Sequence, residues 1–137
     1  MAEYDLTSRI SPAITIPMLA HADPDTPVAV DLKGFESAEI EVITGTLGAG
    51  TATFLVKEAD DDGSGSPDTF TTVSDDDLIG VVADLNLAAT DDDTIKRVGY
   101  IGKKQWLQVT HVEATTWTTY NHCVVIQRGN PKVVPTT

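Results

Sequence analysis

One cysteine, Cys123, stands in a chain of 137 residues. A lone thiol excludes an intramolecular disulfide and a zinc site built on several cysteines. Positive charge is scarce too: nine Lys and Arg face 21 Asp and Glu, a formal net charge of −12. Binding nucleic acid through phosphates requires clustered cations, so this balance argues against a general nucleic-acid binder. No apolar run approaches the roughly 20 residues of a membrane-spanning helix, and no membrane contact is expected. The opening Met1-Ala2-Glu3-Tyr4-Asp5 lacks the basic start and apolar stretch of a signal peptide, so none is expected. Catalytic signatures are missing as well. There is no Gly-x-Ser-x-Gly elbow, and Gly45-Thr46-Leu47-Gly48-Ala49-Gly50 lacks the Gly-Lys-Ser/Thr ending of a phosphate loop. The expectation is a non-enzymatic protein without a cofactor.

What is present suits one folded domain. Hydrophobic residues make up 41% and charged residues 22%, which separates the chain from disordered sequences. Thr occurs 19 times and Val 14 times. These β-branched side chains pack well on pleated sheets and lose rotamer freedom on helices. Strands are predicted at Val28 to Leu32, Ala38 to Thr44, Thr51 to Glu58, Thr69 to Val73, Thr94 to Ile101, Gln105 to Glu113 and Asn121 to Gln127. In the second, Ala38, Ile40 and Val42 face one way and Glu39 and Glu41 the other. The Gly45 to Gly50 turn predicts a hairpin between its flanking strands, and Gly102-Lys103-Lys104 predicts another. One short helix is expected from Asp75 to Leu87, opened by Ser74 as N-cap, although Gly80 and Val81-Val82 oppose it. Many short strands separated by turns predict an all-β, single-domain β-sandwich, jelly-roll-like.

The ends differ from the middle. Residues 1–27 hold Pro12, Pro17, Pro24 and Pro27 together with Ile10, Ile14, Ile16, Met18 and Leu19. Such proline density favours extended chain. This segment reads either as an edge strand on the chain's own core or as an extended N-terminal arm on a neighbouring subunit. Residues 28–130 form the sandwich, and 131–137, with Val133 and Val134, an extended C-terminal tail.

The polar clusters give no strong chemistry. Glu58-Ala59-Asp60-Asp61-Asp62-Gly63 starts like a calcium loop, but the twelfth position of that loop is Thr69 where a bidentate Glu is needed. A solvated loop is expected there and at Asp75-Asp76-Asp77 and Asp91-Asp92-Asp93. His21, His111 and His122 have no metal-ligand spacing, and His111, which shares a strand face with Leu107 and Val109, reads as half-buried. Cys123 lies in the most apolar strand and reads as an inert hydrophobe. Residues 34–95 hold one cation, Lys57, whereas 96–132 hold six: Lys96, Arg97, Lys103, Lys104, Arg128 and Lys132. Trp106, Trp117, Tyr100 and Tyr120 fall among them. Aromatic residues and arginine are enriched at protein interfaces.

Three elements carry a resemblance. They are Val30-Asp31-Leu32-Lys33-Gly34-Phe35-Glu36-Ser37-Ala38, then Lys96 through Val109, and the apolar strand ending in Gly129-Asn130-Pro131. Together they resemble the head decoration, or cement, proteins of tailed bacteriophages, over roughly residues 4–135. Gln105-Trp106 stands where that family is expected to carry a basic residue and a tyrosine, a conservative departure. The resemblance implies a jelly-roll-like sandwich, assembled as a homodimer or homotrimer. It would bind across major capsid protein subunits on the outer surface of the virion, after synthesis in the bacterial cytoplasm. The docking residues expected from composition and end position are Ile10, Ile14, Ile16, Met18 and Leu19, the tip lysines Lys103 and Lys104, and Val133 and Val134. Two other readings remain: a head–tail connector or tail-tube ring, and a carbohydrate-binding β-sandwich displaying Trp117.

Overall fold

Strict alternation builds the longest strands of the protein, whose computed structural model describes residues 6–21, 27–115 and 120–132. In β3 (Phe35–Leu47), Ala38, Ile40, Val42 and Thr44 are buried while Glu39, Glu41 and Ile43 face outward. In β10 (Tyr120–Pro131), Tyr120, His122, Val124 and Ile126 all reach the core. These two strands lie side by side with Val124 opposite Val42 and Ile126 opposite Ile40. The period of two places one apolar row of each strand on the same face of the sheet.

The remaining strands are β1 (Ile10–His21), β2 (Val30–Asp31), β4 (Thr51–Ala59), β5 (Thr71–Thr72), β6 (Leu78–Ile79), β7 (Leu87–Ala88), β8 (Ile95–Tyr100) and β9 (Trp106–Thr115). One sheet has the order β1-β10-β3-β8-β6, the other β2-β9-β4-β5, with β7 beside β4. All pairings are antiparallel. Long neighbours in sequence therefore sit in opposite sheets, which is the winding of a jelly roll. The two predicted hairpins are corrected by this order. The Gly45 to Gly50 segment carries the chain from β3 in one sheet to β4 in the other, and residues 101–105 carry it from β8 to β9. A short glycine-rich link can turn a sheet corner as readily as it closes a hairpin, and the pairing partners decide which.

The predicted helix is also corrected. Ser74 does cap, its hydroxyl accepting the Asp76 N–H at 3.3 Å, but only a 3-10 turn follows at Asp75–Asp77. Leu78–Ile79 then pairs with Gly99–Tyr100 as an edge strand, and a second 3-10 turn runs over Val82–Leu85. Gly80 adopts φ +102°, a backbone conformation no helix contains.

Residues 10–21 are a strand of the chain's own sandwich rather than an arm standing off it. Ile10 lies opposite Gly129 and His21 opposite Tyr120. The register slips between Ile14 and Ile16, and again between Ile16 and Leu19. At the first bulge two consecutive side chains, Thr15 and Ile16, both turn inward and are fully buried. Buried Thr15 is satisfied on both sides. Its hydroxyl donates to the Val28 carbonyl at 2.7 Å and accepts the Val109 N–H at 3.3 Å, tying β1 to the opposite sheet. The outer edge of β1 is closed by its own chemistry. Pro17 offers no N–H, Arg128 Nε donates to the Ser11 carbonyl, and Val28 N–H donates to the Thr15 carbonyl.

Between the sheets lies one core of Ile16, Ile40, Val42, Phe54, Val56, Leu85, Leu87, Val98, Leu107, Val109, Tyr120, Val124 and Ile126. Two fully buried histidines join it, His111 from β9 and His122 from β10, their rings edge to face at 5.5 Å. Phe54 packs edge-on against both, at 6.3 and 5.7 Å. His111 is thus on the face predicted for it, but fully rather than half-buried.

Candidate functional site

The end of the sandwich where β1 begins and β10 finishes gathers chain from distant positions. The turn after β2 is set by Asp31, whose carboxylate accepts the Lys33 N–H at 2.8 Å, and by Gly34 at φ +90°. The Gly34 carbonyl accepts the Lys132 N–H at 2.8 Å, and the Gln105 carbonyl accepts the Leu32 N–H at 2.8 Å. The β2–β3 turn is therefore stitched on one side to the end of β10 and on the other to the β8–β9 loop. That loop is anchored from below. The Asp77 carbonyl accepts the Ile101 N–H at 2.9 Å, and the Tyr100 hydroxyl accepts the Lys104 N–H at 3.1 Å. Gly102 lies so close over the Tyr100 ring that a Cβ there would stand 2.4 Å from the hydroxyl oxygen.

These three segments border an open cavity of about 280 Å3 lined by Lys33, Lys103, Lys104 and Lys132. Phe35 lines it, and the Arg128 guanidinium stacks on the Phe35 ring at 4.8 Å. Four of the nine cations of the chain thus line one recess, with Arg128 on the Phe35 ring beside it. Lys104 is paired with Asp60, and that carboxylate raises the pKa of its ammonium. Arg128 is held by the Ser11 and Asp31 carbonyls. Among the described residues, Lys33, Lys103 and Lys132 have no carboxylate partner.

The neighbouring acidic loop is ordered by its own carboxylates. Asp61 Oδ1 accepts the Gly63 N–H at 2.7 Å, and Asp62 Oδ1 accepts the Ser64 N–H and hydroxyl, each at 2.7 Å. The Ser64 bonds lower the Asp62 pKa. The Gln105 amide donates to Asp61 from the β8–β9 loop at 3.3 Å. The loop carboxylates are turned onto their own backbone, and no cluster of metal-ligating side chains occurs among the described residues.

A second recess, about 640 Å3, lies on the outward face of the β1-β10-β3-β8-β6 sheet. Leu6 and Ile10 border it with Ile79 and Ile101, and Arg97 and Glu39 face each other at 3.7 Å within it. Burial, then the adjacent Glu39, raises the pKa of Glu41 there. Cys123 sits on the same outward face yet is covered, and burial followed by the Glu41 charge pushes its thiol up, away from reactivity.

The predicted docking residues do not form one patch. Ile16 is in the core, fully buried, so it offers nothing to a partner. Ile14 and Met18 are exposed, at 57% and 51%, along β1. Ile10 is half-buried beside the outward recess. Leu19 pairs with His122 through its backbone. Lys103 and Lys104 both line the lysine cavity. Val133, Val134 and Trp117 lie outside the described residues. Sequence reasoning missed Lys33 and Lys132, which stand far from Lys103 along the chain. It also missed Ile79 and Ile101, both exposed. The period-two pattern of Ile95, Arg97, Gly99 and Ile101 carried the signal for the latter.

Scans against protein-family models and against curated proteins return no match for this chain. Among the described residues, no helix is long and apolar enough to cross a membrane.

Proposed function

We propose that this chain is a non-enzymatic structural protein of a tailed-phage virion, which decorates the capsid and stabilises it by binding across major capsid protein subunits. One observation supports the reading above the others. The three sequence elements that carry the resemblance to decoration proteins meet at one end of the jelly roll. Residues 30–38 form β2, its turn and the start of β3, the β8–β9 link lies within 96–109, and 129–131 close β10. Sequence-distant motifs that converge on one surface are what a shared docking end would produce. Binding several shell subunits at once multiplies weak contacts into durable attachment. The docking set in this reading is Lys103, Lys104 and Ile10, with Ile14 and Met18 along β1.

The test is the copy number of this chain per intact virion, measured by quantitative mass spectrometry against the major capsid protein. A ratio of one, or a simple fraction such as one-half or one-third, is the expected result. About a dozen copies would overturn decoration in favour of a connector or tail ring.

A further inference from the structure

We propose that the lysine-ringed cavity at the β2–β3 turn receives carboxylate side chains from a short acidic segment of a protein partner. The inference names the partner chemistry of the docking end and rests on the preceding reading only for which assembly supplies that partner.

Four observations carry it. The first is charge: a chain of net charge −12 places Lys33, Lys103, Lys104 and Lys132 around one recess, with Arg128 stacked on its Phe35 wall. Like charges brought together repel, so the arrangement is relieved by an anion. The second is vacancy of charge. Lys96, Arg97 and Lys104 are engaged with Asp91, Glu39 and Asp60, whereas Lys33, Lys103 and Lys132 have no carboxylate partner among the described residues. The third is rigidity. The cavity wall is fixed by the Lys132-to-Gly34 and Leu32-to-Gln105 backbone bonds and by Tyr100 under the loop, so the lysine stems project from a preset frame. The fourth is size. About 280 Å3 lies below the usual range for small-molecule pockets and suits one or two side chains. Phe35 gives the recess an apolar wall on which the methylenes of a Glu can rest.

The same surroundings select against nucleic acid. Asp60, Asp61 and Asp62 border the lysines through the Lys104 pair, and an extended polyanion would run onto them. A short acidic segment covers the cavity alone.

The experiment is a calorimetric titration of the full chain with octaglutamate, with octaglutamine, inorganic phosphate and a short DNA duplex in parallel, at low and at moderate salt. Saturable binding of octaglutamate, weakened by salt, is expected. Lys33→Gln, Lys103→Gln and Lys132→Gln should each weaken it about threefold, and the three together tenfold or more. Lys57→Gln, the same charge change on β4 outside the cavity lining, should alter it less than twofold. No saturable octaglutamate binding, or an equal loss with Lys57→Gln, overturns the proposal. Tighter binding of the duplex or of phosphate, lost in the same variants, overturns it in favour of phosphate recognition. The virion copy number is read separately. A shell-wide copy number without octaglutamate binding overturns the cavity assignment alone, and octaglutamate binding with about a dozen copies overturns decoration alone.

Discussion

The Tyr100 hydroxyl donates a 2.6 Å hydrogen bond to the Glu58 carboxylate, joining β8 of one sheet to β4 of the other beneath the lysine cavity. Glu58 is buried, with 9% of its surface exposed, and the bond gives its carboxylate a donor where water has little access. Burial first, and then the Glu58 bond, pushes the Tyr100 pKa well above the ordinary tyrosine value. The folded protein holds this proton more tightly than the unfolded chain. The stability it contributes is fully present below about pH 10 and is lost as pH rises beyond that. Tyr100→Phe is expected to cost about 1–3 kcal/mol at pH 7. It should also flatten the alkaline loss, so the two stability curves converge above about pH 10. Urea unfolding across that range checks both; parallel curves would remove Tyr100 from the alkaline limb.

Two glycines of the same end predict different penalties. Gly34 has φ +90° with open space around it, so Gly34→Ala carries only backbone strain of about 1 kcal/mol. Gly102→Ala pushes a methyl group into the Tyr100 ring, an overpacking cost of about 1–3 kcal/mol. Near-ultraviolet circular dichroism should report a displaced tyrosine for Gly102→Ala and none for Gly34→Ala. Identical spectra would mean the loop, and not the ring, gives way.

Arg128 clamps three strands. Its Nε and Nη2 donate to the Ser11 carbonyl and hydroxyl at 3.1 and 2.8 Å, and Nη1 to the Asp31 carbonyl at 3.0 Å. A lysine ammonium has no such planar fork. Arg128→Lys is expected to cost about 1–2 kcal/mol and to speed amide exchange at Ile10, Ser11 and Asp31 while leaving β3 protected. Unchanged exchange at those amides would show the clamp to be dispensable.

At the opposite end, Lys96 Nζ lies 2.8 Å from Asp91 and the side chains are 26% and 23% exposed. Asp91 also accepts the Ala88 N–H at 2.8 Å. Lys96, then the Ala88 bond, holds the Asp91 pKa below the ordinary value. That stability is present at neutral pH and is lost as pH falls below about 4, through the lower folded-state value. Lys96→Met should destabilise the protein by about 1 kcal/mol at pH 7 and shrink the acid-side decline. A decline of undiminished size in thermal unfolding from pH 6 to 2.5 would assign it to other carboxylates.

The sequence was most legible where a strand's own periodicity reports its environment. Ala38, Ile40 and Val42 announce their buried face, and Cys123 to Ile126 announce a strand covered on both sides. Pairing was not legible. Thr44 and Thr51 flank a glycine-rich link in the manner of a hairpin, yet Thr44 pairs with His122 and Thr51 with Thr115 and Ala88. A jelly roll satisfies backbone hydrogen bonds with partners far away in sequence, and local patterning carries no record of them. The same reason hid Lys33 and Lys132 from the candidate site, since a cluster assembled from three loops leaves no spacing to recognise. The proline-bearing segment of residues 10–21 could be weighed only as two alternatives, because the bulge that turns Thr15 and Ile16 inward together breaks the alternation.

The pairing of Ile10 with Gly129 has a practical side for anyone wishing to display cargo on this scaffold. A fusion joined ahead of Leu6 starts beside the outward recess, whereas one joined behind Lys132 starts beside the lysine cavity and would crowd whatever docks there. An epitope inserted between Gly48 and Gly50 leaves from the far tip, where Asp93 and Tyr120 brace the turn by bonding the carbonyls of Gly45 and Gly50.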